Sequence, residues 1–160
     1  MRQCFVTSEE MNRILRKGNR LHLSPDIVIA DYPIGSLVML REPFIMDGDK
    51  ITYRADVKSP QKIRGWKSSI HLPSYLVRAY MVIKDNFEMR LNDVYETYQD
   101  QLGIDSLQEF HSAWNKALPR EDRLWLGAKN NHYIMVSPFD LVLKEDLESY
   151  LKEHPDVQRD

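Results

Sequence analysis

Apolar residues along this chain recur at two periods, and the points where the period changes divide it into elements. Met11, Ile14 and Leu15 follow one another at helical spacing. Ahead of them, Thr7-Ser8-Glu9-Glu10 reads as a capping box, with a hydroxyl at the cap and a carboxylate three residues on to reach back. Gly18 supplies a left-handed stop, so a first helix is predicted over about Ser8 to Lys17. Leu37-Val38-Met39-Leu40-Arg41 reads as a buried strand bounded by Pro43, and Ile51 to Ala55 alternates as a strand after the Asp47-Gly48 turn. Residues Val57 to Arg64 read as a mobile basic loop.

Tyr75 to Lys84 carries the strongest strand pattern. Val77, Ala79, Met81 and Ile83 fall on one face, and Leu76, Arg78, Tyr80 and Val82 on the other. The period then returns to helical through Leu91, Val94, Tyr95 and Tyr98, with Asn92 as the expected cap. A second capping box, Ser106 with Glu109, opens a helix bearing Leu107, Phe110, Trp114 and Leu118. Asn131 to Pro138 reads as a returning strand, and Lys144 to Glu153 as a peripheral last helix through Leu147, Tyr150 and Leu151. The order predicts an α+β fold with a helical insertion, and the irregular strand lengths favour a small barrel over a parallel sheet.

Composition narrows the class. The 160 residues suit one domain, expected to have its core over about residues 8–143 and a peripheral helix and tail over 144–160. No apolar run approaches the roughly 20 residues needed to span a bilayer. The basic start, Met1 to Val6, lacks the long apolar stretch of a secretory signal. A single cysteine, Cys4, excludes an internal disulfide framework and fits a reducing compartment, so a cytoplasmic protein is expected. The five histidines include no i, i+4 pair, there is no phosphate-cradling glycine loop, and neither metal nor cofactor is expected.

The formal net charge of −2 conceals an asymmetry. Lys50 to Lys84 holds eight Lys/Arg against Asp56 alone, whereas from Asp85 onward there are sixteen acidic residues against eight basic ones. Such a division gives the fold a positive side suited to phosphate. Duplex DNA binders carry a stronger overall basic bias, so a small nucleic-acid element or a nucleotide is the expected partner.

Within the basic half lies Trp66-Lys67-Ser68-Ser69-Ile70-His71-Leu72-Pro73, whose side chains can stack, donate and accept. Four segments in order, this loop among them, resemble the ASCH domains, and within them the small ASCH-like proteins of bacteriophages and prophages. Met11 to Arg20 is similar to the first helix and Gly-x-Lys turn of that family, and Gly35 to Phe44 to its strand ending in Arg-Glu. Trp66 to Pro73 matches the phage group's Trp-to-Pro loop, Arg78 falls on the arginine that follows it, and Tyr133 to Phe139 matches the last strand. The resemblance covers about residues 10 to 143. It implies a PUA-like barrel of five or six strands with flanking helices, and a cleft between helix 1 and the barrel that takes RNA or a modified nucleoside.

Some relatives in that family hydrolyse an acetylated cytidine with a Lys and a Thr just after helix 1 and a Glu from the barrel, and ribonuclease activity is attributed to another. Here Arg20 replaces the Lys and Leu23 the Thr. A guanidinium stays charged at working pH and leucine has no nucleophile, so that chemistry does not carry over in its usual form. Ser24, one residue on, is the hydroxyl left to substitute, and Glu42 and His71 are the acid–base candidates of a hydrolase.

For ligand binding the candidates are Arg20, Arg41, Glu42, Tyr53, Trp66, Lys67, Ser69, His71 and Arg78. Each has a plainer alternative. Arg20 can offset the helix dipole, Trp66 can plug the core, His71 can be a satisfied structural histidine, and Glu42 can pair with a neighbouring strand. Three functions remain open at this stage: binding of RNA or a nucleotide, hydrolysis of a modified nucleoside or RNA, and docking to a host protein through the aromatic insertion from Leu91 to Leu118.

Overall fold

A computed structural model describes residues 1–159. Helix α1 (Ser8–Arg16) begins at the expected cap: the Thr7 hydroxyl accepts from the Glu10 amide at 3.1 Å, and the Glu10 carboxylate reaches back to the Thr7 hydroxyl rather than to its backbone N–H. Gly18, at φ +76°, ends it. The chain before it already pairs: β1 (Arg2–Phe5) runs parallel to β3 (Leu37–Arg41), with Arg2 opposite Val38 and Phe5 opposite Arg41.

The main sheet is six-stranded and mostly antiparallel, confirming the α+β class. Beyond β3 come β6 (Ala79–Ile83), β8 (Tyr133–Leu143) and β2 (Leu21–Ser24), while β4 (Phe44–Asp47) and β5 (Lys50–Tyr53) form a separate hairpin. The seventh strand in the chain, β7 (Phe87–Arg90), continues β6 along the same edge of β8. Between the pairs Ile83–Phe139 and Phe87–Val136 the β6–β7 side advances one residue more than β8, a bulge that absorbs the twist. Strand β8 runs straight through Pro138, which has no N–H; its carbonyl accepts from Lys84 at 2.8 Å instead. No ladder joins β1 to β2.

Both faces of β3 and β6 are covered, which is why these strands read as continuous apolar runs. Val38, Leu40, Ala79, Met81 and Ile83 pack toward Met11 and Ile14 of α1. Leu37, Met39, Tyr80 and Val82 pack on the other side with Phe44, Leu72 and Val142. A third cluster seats the helical insertion on β2 and β8: α2 (Leu91–Tyr98) through Leu91 and Val94, and α3 (Leu107–Ala117) through Phe110 and Trp114. A short α4 (Arg123–Leu126) and a final α5 (Leu147–Glu153) complete the chain.

Several expectations need correction. Strand β6 begins only at Ala79, because Ser74–Leu76 forms a 3-10 turn whose tertiary hydrogen bonds override local alternation. β5 likewise ends at Tyr53, and Arg54–Asp56 turns. Asn92 lies inside α2 rather than capping it; its amide is satisfied by Asn131 Oδ1 at 2.9 Å. The last helix buries no residue fully, but Leu147, Tyr150 and Leu151 pack against the second cluster. The tail is tied to the sheet start by Leu37 N–H to the Gln158 carbonyl and Gln158 N–H to the Gly35 carbonyl, each 2.8 Å.

Candidate functional site

Four charged side chains form a chain between α1 and the sheet. Glu42 follows β3 and is 0% exposed. Arg78, just before β6, grips it bidentately: Nε donates to Oε2 at 2.9 Å and Nη2 to Oε1 at 2.8 Å. The remaining Arg78 nitrogen donates to Asp56 at 2.8 Å, and Arg16 from the last turn of α1 donates to the other Asp56 oxygen. Arg78 also lies 4.0 Å from the Tyr53 ring centroid, and the Tyr53 hydroxyl donates to the Leu76 carbonyl at 2.6 Å.

Burial pushes the Glu42 carboxyl above the usual range, and Arg78 counters it. Burial also raises Asp56, but the two guanidinium groups outweigh it and hold Asp56 low. Two acids therefore cancel two bases internally. Glu42 and Arg78, expected to line a cleft, have their charged groups committed to each other, and with Glu42 0% exposed its carboxylate is not presented to a base amine or for proton transfer.

The Trp66–Pro73 segment is built as a pinned turn rather than an extended loop. Gly65 takes φ +90°, and Lys67 exchanges backbone hydrogen bonds with Phe44 at 2.7 and 3.2 Å. The Trp66 indole donates to the Pro60 carbonyl at 2.9 Å, folding the basic loop against itself, and the Arg54 guanidinium stands 5.7 Å from the Trp66 centroid. Ser68 caps a 3-10 turn over Ser69–His71, and Leu72 is fully buried beneath it. Arg41 is spent on this turn, donating to the Leu72 carbonyl and to Ser74 Oγ. Lys67 and His71 are exposed and Ser69 half-buried.

Ser68 and Ser69 face the start of α1 across a recess of about 380 Å³ that is also lined by Phe5, Thr7, Ser8, Glu9 and Arg54. Its size falls in the roughly 300–1,000 Å³ range of small-molecule sites. Arg20 is not part of it. That side chain closes the opposite end of α1, its Nη1 donating to the carbonyls of Ile14 and Asn19, both at 2.8 Å. The expectation that Arg20 and the Trp66–His71 segment share one site is therefore corrected: α1 separates them by about 13 Å of helix.

Of the cations between Lys50 and Lys84, Arg54 lines the recess. Asp56, the lone acid between Lys50 and Lys84, is consumed by Arg16 and Arg78. Among the described residues, Arg54, Lys58, Lys62, Arg64 and Lys67 form no ion pair, and the last four are exposed.

A second polar cluster lies at the open seam between β1 and β2. His22 Nε2 meets Asp31 Oδ2 at 2.7 Å, and Ser24 Oγ donates to Asp31 at 3.3 Å while accepting from Asp26. The Tyr32 hydroxyl crosses the seam to the Gln3 carbonyl at 3.0 Å, its ring 5.3 Å from His22. Burial disfavours the charged imidazole, yet Asp31 and the adjacent Cys4 outweigh it, and the His22 pKa is pushed up to about 9. With its hydroxyl thus engaged and the side chain buried, Ser24 is not presented as a nucleophile. Asp31 and Asp56, the acids that organise the two clusters, were missed by motif reading. A lone acid in a basic stretch was the available signal for Asp56.

Among the described residues no group of three or more His, Cys, Asp or Glu side chains is arranged to hold a metal ion, and no helix is long and apolar enough to cross a membrane. No protein-family model matches the chain, and neither a curated protein nor a solved structure matches it.

Proposed function

We propose that this is an ASCH-type, PUA-like protein that binds RNA, a modified nucleoside or a nucleotide in the recess between the start of α1 and the Ser68–Ser69 turn. On this reading the sheet is a barrel whose seam is closed by Cys4, His22, Asp31 and Tyr32 instead of backbone hydrogen bonds, and the phage or prophage setting comes with the family resemblance. The observation that carries the reading is a recess of about 380 Å³ in which Arg54, unpaired among the described residues, meets the Ser68 and Ser69 turn, with the exposed cations Lys58, Lys62, Arg64 and Lys67 on the same stretch of chain. Phosphate neutralisation supplies the affinity, the Ser68 and Ser69 hydroxyls can bond sugar or base edges, and the Arg54 guanidinium, 5.7 Å from the Trp66 centroid, offers a planar face. Binding is favoured over hydrolysis because Glu42 and Ser24 are already committed to internal partners.

The test is fluorescence anisotropy with short RNAs across a salt series, on the wild type and on Arg54→Ala/Lys67→Ala. Each lost phosphate contact is expected to reduce the log–log salt slope by about 0.7 for single strands. Absence of binding to RNA and mononucleotides at low salt, or a double variant with unchanged slope and affinity, refutes the proposal.

A further inference from the structure

The chain between α3 and β8 presents aromatic surface that nothing in the fold covers. Leu124 is 63% and Trp125 71% exposed, whereas Trp114 beneath them is buried. The turn carrying them is firmly built. Asn130 Nδ2 donates to the carbonyls of Leu124 at 3.0 Å and Trp125 at 3.1 Å, and Asn115 accepts from the Ala128 amide at 2.9 Å. Asn131 adopts φ +48°, a conformation non-glycine residues rarely take, and is held there by bonds from Asn92 and Arg90. Presenting a rigid, solvated tryptophan on such a scaffold forfeits burial energy unless something else covers the ring.

The surroundings indicate what that is. Trp125 lines a shallow depression of about 460 Å³ with Leu124, Lys129, Asn130 and His132, and no carboxylate lines it. One residue beyond, Tyr133 is 48% exposed with the Arg90 guanidinium 4.7 Å from its ring centroid. Among the described residues Lys129, which lines the depression, and Arg90, beside the Tyr133 ring, make no ion pair. Exposed aromatic faces bordered by uncompensated cations are how proteins hold single-stranded nucleic acid: bases stack on the rings, and the cations balance the phosphates.

We propose that Trp125 and Tyr133 form a stacking platform for unpaired bases of RNA, a second contact for the ligand already assigned to the recess, and this rests on that reading. Tyr133 and Leu143 mark opposite ends of β8, and the recess lies toward the Leu143 end, where β1 and β3 finish. At about 3.3 Å per residue the two contacts stand roughly 30 Å apart. A short oligonucleotide reaches one of them and a longer strand both, so the platform adds affinity only with length.

The experiment compares a labelled trinucleotide with a strand of about 15 nucleotides by anisotropy, on wild type, Trp125→Ala and Trp125→Phe. Removing the indole is expected to weaken the long strand about ten-fold, within the roughly 5- to 150-fold of one lost stack. Trinucleotide binding should be unchanged, and Trp125→Phe should retain most of the affinity. Long-strand binding by Trp125→Ala within two-fold of wild type overturns the platform, as does a homodimer that this substitution dissolves, which would make the ring a contact between copies. If only the platform is wrong, Arg54→Ala/Lys67→Ala still weakens both probes. If the wild type binds neither probe, both readings fall.

Discussion

Replacing Arg78 with methionine keeps most of its bulk but removes the sole hydrogen-bonding partner, among the described residues, of a carboxylate that is 0% exposed. The pair itself contributes little net stability, because its attraction is set against the cost of drying both ions. Breaking it is another matter: a buried charge left alone costs about 3–5 kcal/mol. For a chain of this length that corresponds to a fall in Tm of roughly 6–20 °C. Glu42 can escape by taking a proton, and its carboxyl is already raised above the ordinary 4.5 by burial. Losing Arg78 raises it further. A carboxyl with a raised folded pKa stabilises fully below its unfolded value and loses that contribution as pH rises through the folded one. The deficit of Arg78→Met should therefore be large at pH 7 and shrink toward pH 4.5. Adding Glu42→Gln should recover much of it, since Asp56 keeps Arg16 as partner. Urea unfolding followed by tryptophan fluorescence at both pH values measures all of this. A loss below about 1 kcal/mol at pH 7, or a double variant no more stable than Arg78→Met, refutes the reasoning.

Two further outcomes are expected. The raised pKa of His22, from 6.5 to about 9, means its contribution is complete below pH 6.5 and is lost as pH climbs through 9. Its upper bound is about 3 kcal/mol, from about 1.4 kcal/mol per unit. Asp31→Asn should flatten the Tm profile over that window, and an imidazole titrating near 6.5 by NMR would show that the pair contributes nothing. At Gly127 the backbone is not left-handed, but a Cβ would sit 2.3 Å from the Arg123 carbonyl oxygen. Gly127→Ala should thus destabilise by about 1–3 kcal/mol and disturb the Trp114 indole, which donates to the neighbouring Leu126 carbonyl at 2.8 Å; an unchanged melting curve and emission spectrum would show that the turn relaxes freely.

What the linear chain determined is local. At both Thr7 and Ser106 the cap hydroxyl accepts from the amide three residues on, as expected, because a cap needs only residues three apart; the glutamates bond the Thr7 hydroxyl and the Asp105 amide rather than the cap's own backbone N–H. The strand Leu37–Arg41 and the face alternation from Ala79 to Ile83 were legible for the same reason, each being a run of residues whose period matches its element. Strands β1, β2, β4 and β7 escaped notice, as four-residue segments carry too little pattern, and all but β4 gain their identity from a partner far along the chain.

Tertiary structure alone decided the rest. Whether Glu42 faces a ligand or a guanidinium depends on where Arg78 arrives, 36 residues later. Which end of α1 meets the Ser68–Ser69 turn depends on how β1 and β3 register, so the recess formed at the cap and not at Arg20. Charge pairing, unlike periodicity, is a property of distance in space: it subtracted Asp56 from the basic stretch and left the cations beside it uncompensated.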